Sequence, residues 1–201
     1  KLLWMKGTYG KAGSIDYDKN WRNYKNKSGG GILIDQGIHM LDLMRYLSGE
    51  EFEKINSFVI NAYWNIEVED NAFAIMKTYS NAIAMLHSSA THWKHKFLLE
   101  MYFEEGYINL DGILSGTRSY APETLVVGRR EFEDITFAMG KPKESIAWFE
   151  NDDSWEIEIR EFLDAVKGEK SIVNGTSTDA LKTLLLIEKI YNNSGFYNEQ
   201  K

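Results

Sequence analysis

Hydrophobic and polar positions alternate through the middle of the chain and follow a helical period on either side of it. Between Phe52 and about position 138, short runs rich in β-branched and aromatic residues are separated by tight turns such as Ser80-Asn81 and Glu104-Glu105-Gly106. Consecutive short strands with tight turns predict a largely antiparallel sheet. The predicted strands are residues 2–9, 55–64, 72–79, 82–89, 97–103, 107–110, 124–127 and 132–137.

Three segments have helical periodicity. Residues 32–47 follow three glycines and end at Ser48-Gly49. A second helix, opened by Asp153, places Trp155, Ile159, Phe162, Leu163 and Val166 on one side, and a third begins at Thr176 or Ser177 with Ala180, Leu181, Leu184, Ile187 and Tyr191 on its inner side. No linker or repeat divides the chain. The prediction is one α+β domain over residues 1–201, with an open, predominantly antiparallel sheet and helices packed on one face.

The predicted strands are not clearly polar on either face. Residues 55–64 place Phe58 and Ile60 on one side, and Val59 and Tyr63 on the other. An antiparallel sheet with one solvated face should alternate more cleanly between apolar and polar residues. A second helical layer is one way to cover the other face, but three helices are few for two layers, so the pattern favours a second subunit.

Composition bounds the function. The chain has 201 residues, 43% of them hydrophobic and 26% charged, and its net charge of −7 disfavours nucleic acid as a partner. No apolar run approaches ~20 residues, so no membrane span is expected. The chain contains no cysteine, which favours a reducing, cytoplasmic location. It begins at Lys1 without an initiator methionine, and we therefore expect a fragment of a longer protein.

The helix at 32–47 carries the candidate chemistry. On a helical wheel Asp35, His39, Asp42 and Tyr46 fall within a stripe about 60° wide, and the rest of the helix is apolar. A carboxylate one turn from an imidazole suits general acid–base catalysis, so Asp35 and His39 are the catalytic candidates. Two alternatives remain at this point: these polar groups satisfy buried partners, or Asp35, His39 and Asp42 bind a metal ion.

A polar loop before this helix supplies candidates for substrate binding. Trp21, Arg22 and Lys25 precede the glycines, and an aromatic ring beside an arginine suits a sugar or a carboxylate ligand. Gly29-Gly30-Gly31 lets backbone or a ligand approach closely, but position 34 is Ile34, so no Gly-x-Gly-x-x-Gly fingerprint for a dinucleotide is present. His92 and His95 form a second polar cluster, interpreted mainly as a solvated turn or an interface rim.

The helix at 32–47, which we call the motif helix, also carries a family resemblance. The glycine cluster followed by Asp35-x-Gly37-x-His39-x-x-Asp42 resembles the C-terminal domain of glucose–fructose oxidoreductase and inositol dehydrogenase-type enzymes, the Gfo/Idh/MocA family. The resemblance extends over nearly the whole chain and includes Glu69-Asp70-Asn71-Ala72. It implies a glyceraldehyde-3-phosphate dehydrogenase-like C-terminal domain whose N-terminal dinucleotide-binding domain, the holder of NAD or NADP, is absent from this chain.

The same resemblance implies a function and a mode of assembly. A sugar, cyclitol or nucleotide-sugar hydroxyl would be oxidised, or its ketone reduced, with His39 moving the proton and Asp35 assisting, and the fragment alone would be inactive. Members associated with surface-polysaccharide sugar synthesis look most similar. The open sheet face would form a homo-oligomer. The alternative is a catalytically silent sugar-binding or assembly module of the same fold.

Overall fold

The computed structural model describes residues 1–131 and 142–197, and within these ranges eight strands form a single sheet. The prediction of a strand at 132–137 falls outside the described residues. The strands are β1 (Leu2–Gly10), β2 (Phe52–Ile60), β3 (Asn71–Thr78), β4 (Ile83–Ser89), β5 (Lys96–Phe103), β6 (Gly106–Asp111), β7 (Glu123–Arg129) and β8 (Glu144–Phe149). The last of these is not predicted by the sequence pattern.

Helical segments lie before β2 and after β8. Two 3-10 turns, Tyr17–Lys19 and Trp21–Asn23, and the short helix α1 (Lys25–Ser28) precede the motif helix. The motif helix begins as a π-helical segment, Leu33–Gly37, and continues as α2 (Ile38–Ser48). The chain ends with α3 (Ser154–Val166) and α4 (Ser177–Ser194).

The strand order is β2-β3-β4-β1-β5-β6-β7-β8, so β1 lies near the middle of the sheet. It pairs in parallel with β4 and antiparallel with β5, and every other neighbouring pair is antiparallel. The predicted open and mainly antiparallel sheet is therefore confirmed. The strands β1, β2 and β4 run in the same direction, so their carboxyl ends lie along the same side of the sheet. We call this row of strand ends the sheet edge.

The predicted second strand extends too far at its C-terminus, because β2 ends at Ile60. The buried carboxylate of Asp70 accepts backbone N–H bonds from Ala62, Tyr63 and Trp64 at 2.8, 2.8 and 2.9 Å. A carboxylate that collects three successive amides holds the chain in a turn, so these residues cannot continue the sheet ladder. Their aromatic character alone predicts a strand.

The core lies under one face of the sheet, where α2 and α4 pack. Met5 of β1, Met44 of α2, Leu99 of β5 and Ile190 of α4 are each 0% exposed and belong to one contiguous cluster. This confirms the prediction of helices on one face. Among the helices of the described ranges, none is both long and apolar enough to cross a membrane.

The two late helices bury less than the sequence predicts. Thr176 caps α4 as predicted and forms a capping box with Asp179, but of the predicted inner residues only Ile187 is fully buried. The side chains of Leu181 and Leu184 are exposed. In α3 all the predicted inner residues are exposed, Phe162 by 57%, and Asp153 makes no side-chain cap. Within the described residues the apolar stripe of α3 is uncovered.

The sheet face opposite α2 and α4 is also open, and we call it the open face. It carries exposed apolar side chains that include Phe58, Ile75 and Trp148, of which Phe58 is 74% exposed. His87 lies on this face, stacked on Phe73 with ring centroids 4.2 Å apart and within 3.2 Å of the Asn71 side-chain oxygen. Burial, aided by the positive charges of His92, Lys96 and Lys6, lowers the pKa of His87 to about 4.

The lowered pKa of His87 makes the stability of the fold depend on pH. In the unfolded chain histidine titrates near ~6.5, so the folded state binds fewer protons than the unfolded state below that pH. We expect stability to be lost as the pH falls from about 6.5 toward the folded pKa of about 4. Urea denaturation at several pH values measures the free energy of unfolding. This free energy should fall less with decreasing pH in the variant His87→Asn than in the wild-type protein, and an equal fall in both would contradict the assignment.

Candidate functional site

The candidate site lies at the sheet edge formed by the carboxyl end of β1. The chain leaves β1 at Gly10, and Lys11 still donates its N–H to the Ser89 carbonyl at 2.8 Å, which fixes its position beside β4. The following loop returns the chain to the start of the motif helix. This brings the loop and the polar residues of the helix together.

Asp35 is the centre of the charged part of the site. Its side chain is 24% exposed, and its two oxygens face two cations: Lys11 bonds one oxygen, and Nε of Arg22 lies 3.4 Å from the other. The cleft around this group has a volume of about 30 Å³. Its lining includes Tyr17 and Asn20, so the carboxylate sits in a small pocket rich in polar groups.

The second half of the loop is built to present Trp21 and Arg22. The Asn20 side chain accepts the Arg22 N–H at 3.0 Å and caps the 3-10 turn, while Asn23 is buried and bonds the Tyr17 carbonyl. The Arg22 guanidinium lies 4.6 Å from the centre of the Trp21 ring, and both side chains are about half exposed. An arginine held between an indole and a carboxylate keeps its donors in a defined direction.

Aromatic rings form a wall on another side of the site. Tyr9 lies 6.2 Å from the His39 ring and packs edge-on against Tyr120 at 5.3 Å, and Tyr120 stacks on His95 at 4.8 Å. The Tyr120 hydroxyl donates to the Gln36 side chain at 3.2 Å, next to Asp35 in the chain. His39 itself is exposed, so its imidazole is open to solvent at the edge of this wall.

The charge of Asp35 reaches three tyrosines around it. Burial is the main cause that raises the pKa values of Tyr9, Tyr17 and Tyr120, and the negative charge of Asp35 adds to the shift in each case. These phenols therefore stay protonated across the physiological range. They can donate or accept hydrogen bonds but cannot act as bases there.

The start of the motif helix is held from below by Glu69, which is 0% exposed. Its two carboxylate oxygens accept the N–H groups of Gly31 and Leu33, both at 2.9 Å, and its backbone carbonyl accepts the N–H of Ile32 at 3.1 Å. A Cβ at position 31 would lie 2.1 Å from that same carbonyl oxygen. The close approach that the triple glycine predicts is therefore made by the protein's own backbone.

Two predicted site residues turn elsewhere. Lys25 lies over the Tyr197 ring at 3.7 Å. Asp42 accepts a hydrogen bond from Thr183 of α4 at 2.7 Å and one from Arg45 of its own helix at 3.2 Å. The wheel that joins Asp35 to Asp42 assumes a continuous α-helix. The π-helical segment has more residues per turn, so it changes the phase of Asp35 relative to the residues that follow.

The metal alternative requires Asp35, His39 and Asp42 at one point. Asp35 contacts Lys11, whereas Asp42 contacts Thr183 of α4, so the two carboxylates face different parts of the structure. Within residues 1–131 and 142–197 no group of three histidine or acidic residues is placed to hold a metal ion. Asp35 is paired with Lys11 and Arg22 in this conformation, so its action on His39 stays a prediction.

Sequence reasoning missed several members of the site. It did not find Lys11, Tyr9 or Tyr120, and it interpreted His95 mainly as part of a surface turn. Lys11 lies two residues after the first predicted strand, a position near a strand end that could have drawn attention. Tyr120 carries no such signal, since only the tertiary structure brings it next to Gln36 from a distant loop.

The open, mainly antiparallel sheet with helices on one face is the fold of a C-terminal domain shared by one protein family. The family model for the GFO/IDH/MocA C-terminal domain matches residues 1–109, just over half of the chain. The chain belongs to this family. No curated protein sequence matches it.

Solved structures share the fold at low sequence identity. UDP-N-acetylglucosamine 3-dehydrogenase GnnA from Acidithiobacillus ferrooxidans is 14% identical with a TM-score of 0.73, over 96% of this chain and 54% of that chain. Aldose-aldose oxidoreductase from Caulobacter crescentus, complexed with glycerol, is 22% identical with a TM-score of 0.72, over 100% of this chain and 54% of that chain. Levoglucosan dehydrogenase, in a complex with NADH and levoglucosan, is 18% identical with a TM-score of 0.78, over 97% and 57%. The chain spans about half the length of these neighbours.

The contact between Gly31 and Glu69 gives a prediction for stability. The variant Gly31→Ala places a Cβ 2.1 Å from a backbone oxygen that cannot move away cheaply, so we expect a loss of unfolding free energy of about 3 kcal/mol or more. Gly29→Ala is the control, because Gly29 is left-handed at φ 78° but has open space around its Cβ. It should cost only about 1–2 kcal/mol. Urea denaturation checks both values, and equal losses would contradict the packing.

Proposed function

We propose that this chain is the substrate-binding half of an NAD(P)-dependent oxidoreductase that acts on a hydroxyl or ketone group of a sugar, a cyclitol or a nucleotide-linked sugar. The observation that carries the proposal is the exposed His39 imidazole on the motif helix, four residues after Asp35, whose carboxylate two cations hold at the sheet edge. Family membership agrees with this chemistry. The names of the structural neighbours given above describe enzymes that act on sugars or sugar derivatives.

His39 is the proposed acid–base. Its imidazole is exposed, so a substrate hydroxyl can reach it, and an imidazole has one nitrogen that can accept a proton and one that can donate it. Asp35 is the proposed assisting carboxylate, four residues before His39 on the motif helix. Lys11 and Arg22 compensate the negative charge of Asp35. Both side chains also carry N–H groups that can donate hydrogen bonds to substrate oxygens.

Trp21 and Arg22 are the proposed substrate-binding residues. The indole ring offers a flat apolar surface for the C–H face of a sugar, and the guanidinium offers donors for its hydroxyl groups. The stacked rings of His95 and Tyr120 bound the site on the other side. Lys25 and Asp42 are left out of this proposal because their side chains contact Tyr197 and Thr183 instead.

NAD or NADP accepts or delivers the hydride when bound. The described ranges contain no strand–Gly-x-Gly-x-x-Gly–helix unit, so we assign the dinucleotide to a separate domain of a longer protein. The uncovered side chains of α3 support such a domain. Phe162 and Ile157 of α3, with Ile172, line a groove of about 700 Å³ that a second domain would fill. Such a protein, without cysteine in this half, fits a cytoplasmic location.

The role of His39 is tested in the full-length protein with its dinucleotide-binding domain. His39→Ala should lower kcat by about 100- to 10,000-fold, because the proton then has no resident acceptor or donor. Tyr46→Ala, at an exposed position of the same helix, is the matched control and should keep kcat within about twofold. Turnover is followed by absorbance of the reduced nicotinamide with a panel of sugars and cyclitols.

Two results would decide against the proposal. A near-normal kcat in His39→Ala would remove histidine as the acid–base. Sugar binding without turnover for every sugar and both cofactors would favour the alternative of a catalytically silent sugar-binding module.

The open face is the proposed surface for a homo-oligomer. Exposed apolar side chains cover strands β2, β3 and β8, among them Phe58, Ile75 and Trp148. An antiparallel sheet whose second face is this apolar needs a cover, and two copies of the same face can pack against each other.

Sedimentation velocity tests the homo-oligomer. Ile75→Lys buries a charge in the proposed interface and should shift the protein to the monomer, while Tyr46→Lys on the helical side should leave the distribution unchanged. A dimer with a dissociation constant of ~1 µM is mostly assembled at ~10 to 100 µM protein. A wild-type protein that is monomeric at these concentrations would contradict the proposal.

A further inference from the structure

Glu69 is a fully buried carboxylate next to the candidate site, and the acid–base assignment does not use it. Its side chain and main chain together bind the three successive N–H groups of Gly31, Ile32 and Leu33. These are the first donors of the motif helix, which have no acceptor within the helix itself. A negative charge at this end also favours the helix dipole.

Every lone pair of this carboxylate has a partner. Besides the Leu33 amide, Oε1 accepts the Tyr191 hydroxyl at 2.7 Å; besides the Gly31 amide, Oε2 accepts the Tyr197 hydroxyl at 3.1 Å. A carboxylate has about four acceptor sites and no donor when ionised, and four donors converge on it here. Burial raises the pKa of Glu69, and the hydrogen bonds from Tyr191, Leu33 and Gly31 oppose that shift.

This arrangement connects directly to Asp35. The Asp35 N–H donates to the Gly31 carbonyl at 3.0 Å, and Gly31 is one of the residues that Glu69 holds. Asp35 lies two residues after Leu33 in the π-helical segment, whose wide turn depends on where its first residues are fixed. A displaced helix start would therefore move the Asp35 carboxylate relative to Lys11 and Arg22.

We propose that Glu69 is a positioning residue for the proposed reaction: it sets the place of Asp35, and through the same helix of His39, by holding the start of the π-helical segment. The inference rests on the proposed function for its effect on turnover, but not for its effect on Asp35. It does not touch the substrate, since it is covered on all sides by the protein.

Glu69→Gln is the informative variant. Glutamine keeps the shape but replaces one accepting oxygen with an NH2 group, which faces an amide N–H and a tyrosine hydroxyl that also donate. One backbone donor of the helix start then loses its partner. In the full-length protein we expect kcat to fall about 10- to 100-fold through misplacement of the acid–base residues, with KM within about threefold.

Asp70→Asn is the matched control. Asp70 is the adjacent residue, is also 0% exposed and also collects backbone amides, but those amides belong to residues 62–64 in the loop after β2. The variant should lower Tm to a similar extent while kcat stays within about threefold. Tyr197→Phe removes a hydroxyl and leaves both amides bound, so its effect should be smaller than that of Glu69→Gln.

A thermal-stability cycle tests the link to Asp35 without turnover. If Glu69 places Asp35, the Tm shifts of Glu69→Gln and Asp35→Asn should be non-additive in the double variant, whereas those of Asp70→Asn and Asp35→Asn should add. Additive shifts in both cycles would overturn the inference. So would a kcat of Glu69→Gln that equals that of Asp70→Asn. Failure of the His39→Ala test would instead overturn the proposed function and leave the stability cycle to decide the role of Glu69.

Discussion

The structure depends on how the motif helix is joined to the sheet edge. A helix start has free N–H groups, and burying them without acceptors costs about 1–3 kcal/mol each. Here one acidic residue, Glu69, accepts three of them and is itself held by two tyrosines from the end of the chain. The loop before β3, the start of the motif helix and the region around α4 are thereby fixed to one another.

Two surfaces of this domain expose large apolar side chains. The open face of the sheet and the stripe of α3 both leave large side chains exposed, such as Phe58 and Phe162. The partners proposed for them differ: a second copy for the sheet, another domain of the same protein for α3. The polar site lies at the sheet edge, apart from both of these apolar surfaces.

Local patterns in the sequence were sufficient for the fold class. Alternation and tight turns predicted the antiparallel sheet, and the glycine cluster followed by Asp35 and His39 located the candidate site. They failed where a distant group overrode local preference. Aromatic residues up to Trp64 indicated strand, but the Asp70 carboxylate turns that segment away from the sheet. The period of α3 identified an amphipathic helix correctly, yet it could not show whether the covering surface belongs to this chain.

The sequence by itself determined the elements, the family resemblance and the residue types available for acid–base chemistry, because these depend on spacing along the chain. Only the tertiary structure decided which polar residues meet. It joined Lys11 and Arg22 to Asp35, brought Tyr120 beside Gln36 and turned Asp42 toward Thr183. A single π-helical turn changes the direction of every earlier side chain, and a periodicity fixed at 3.6 residues cannot register it.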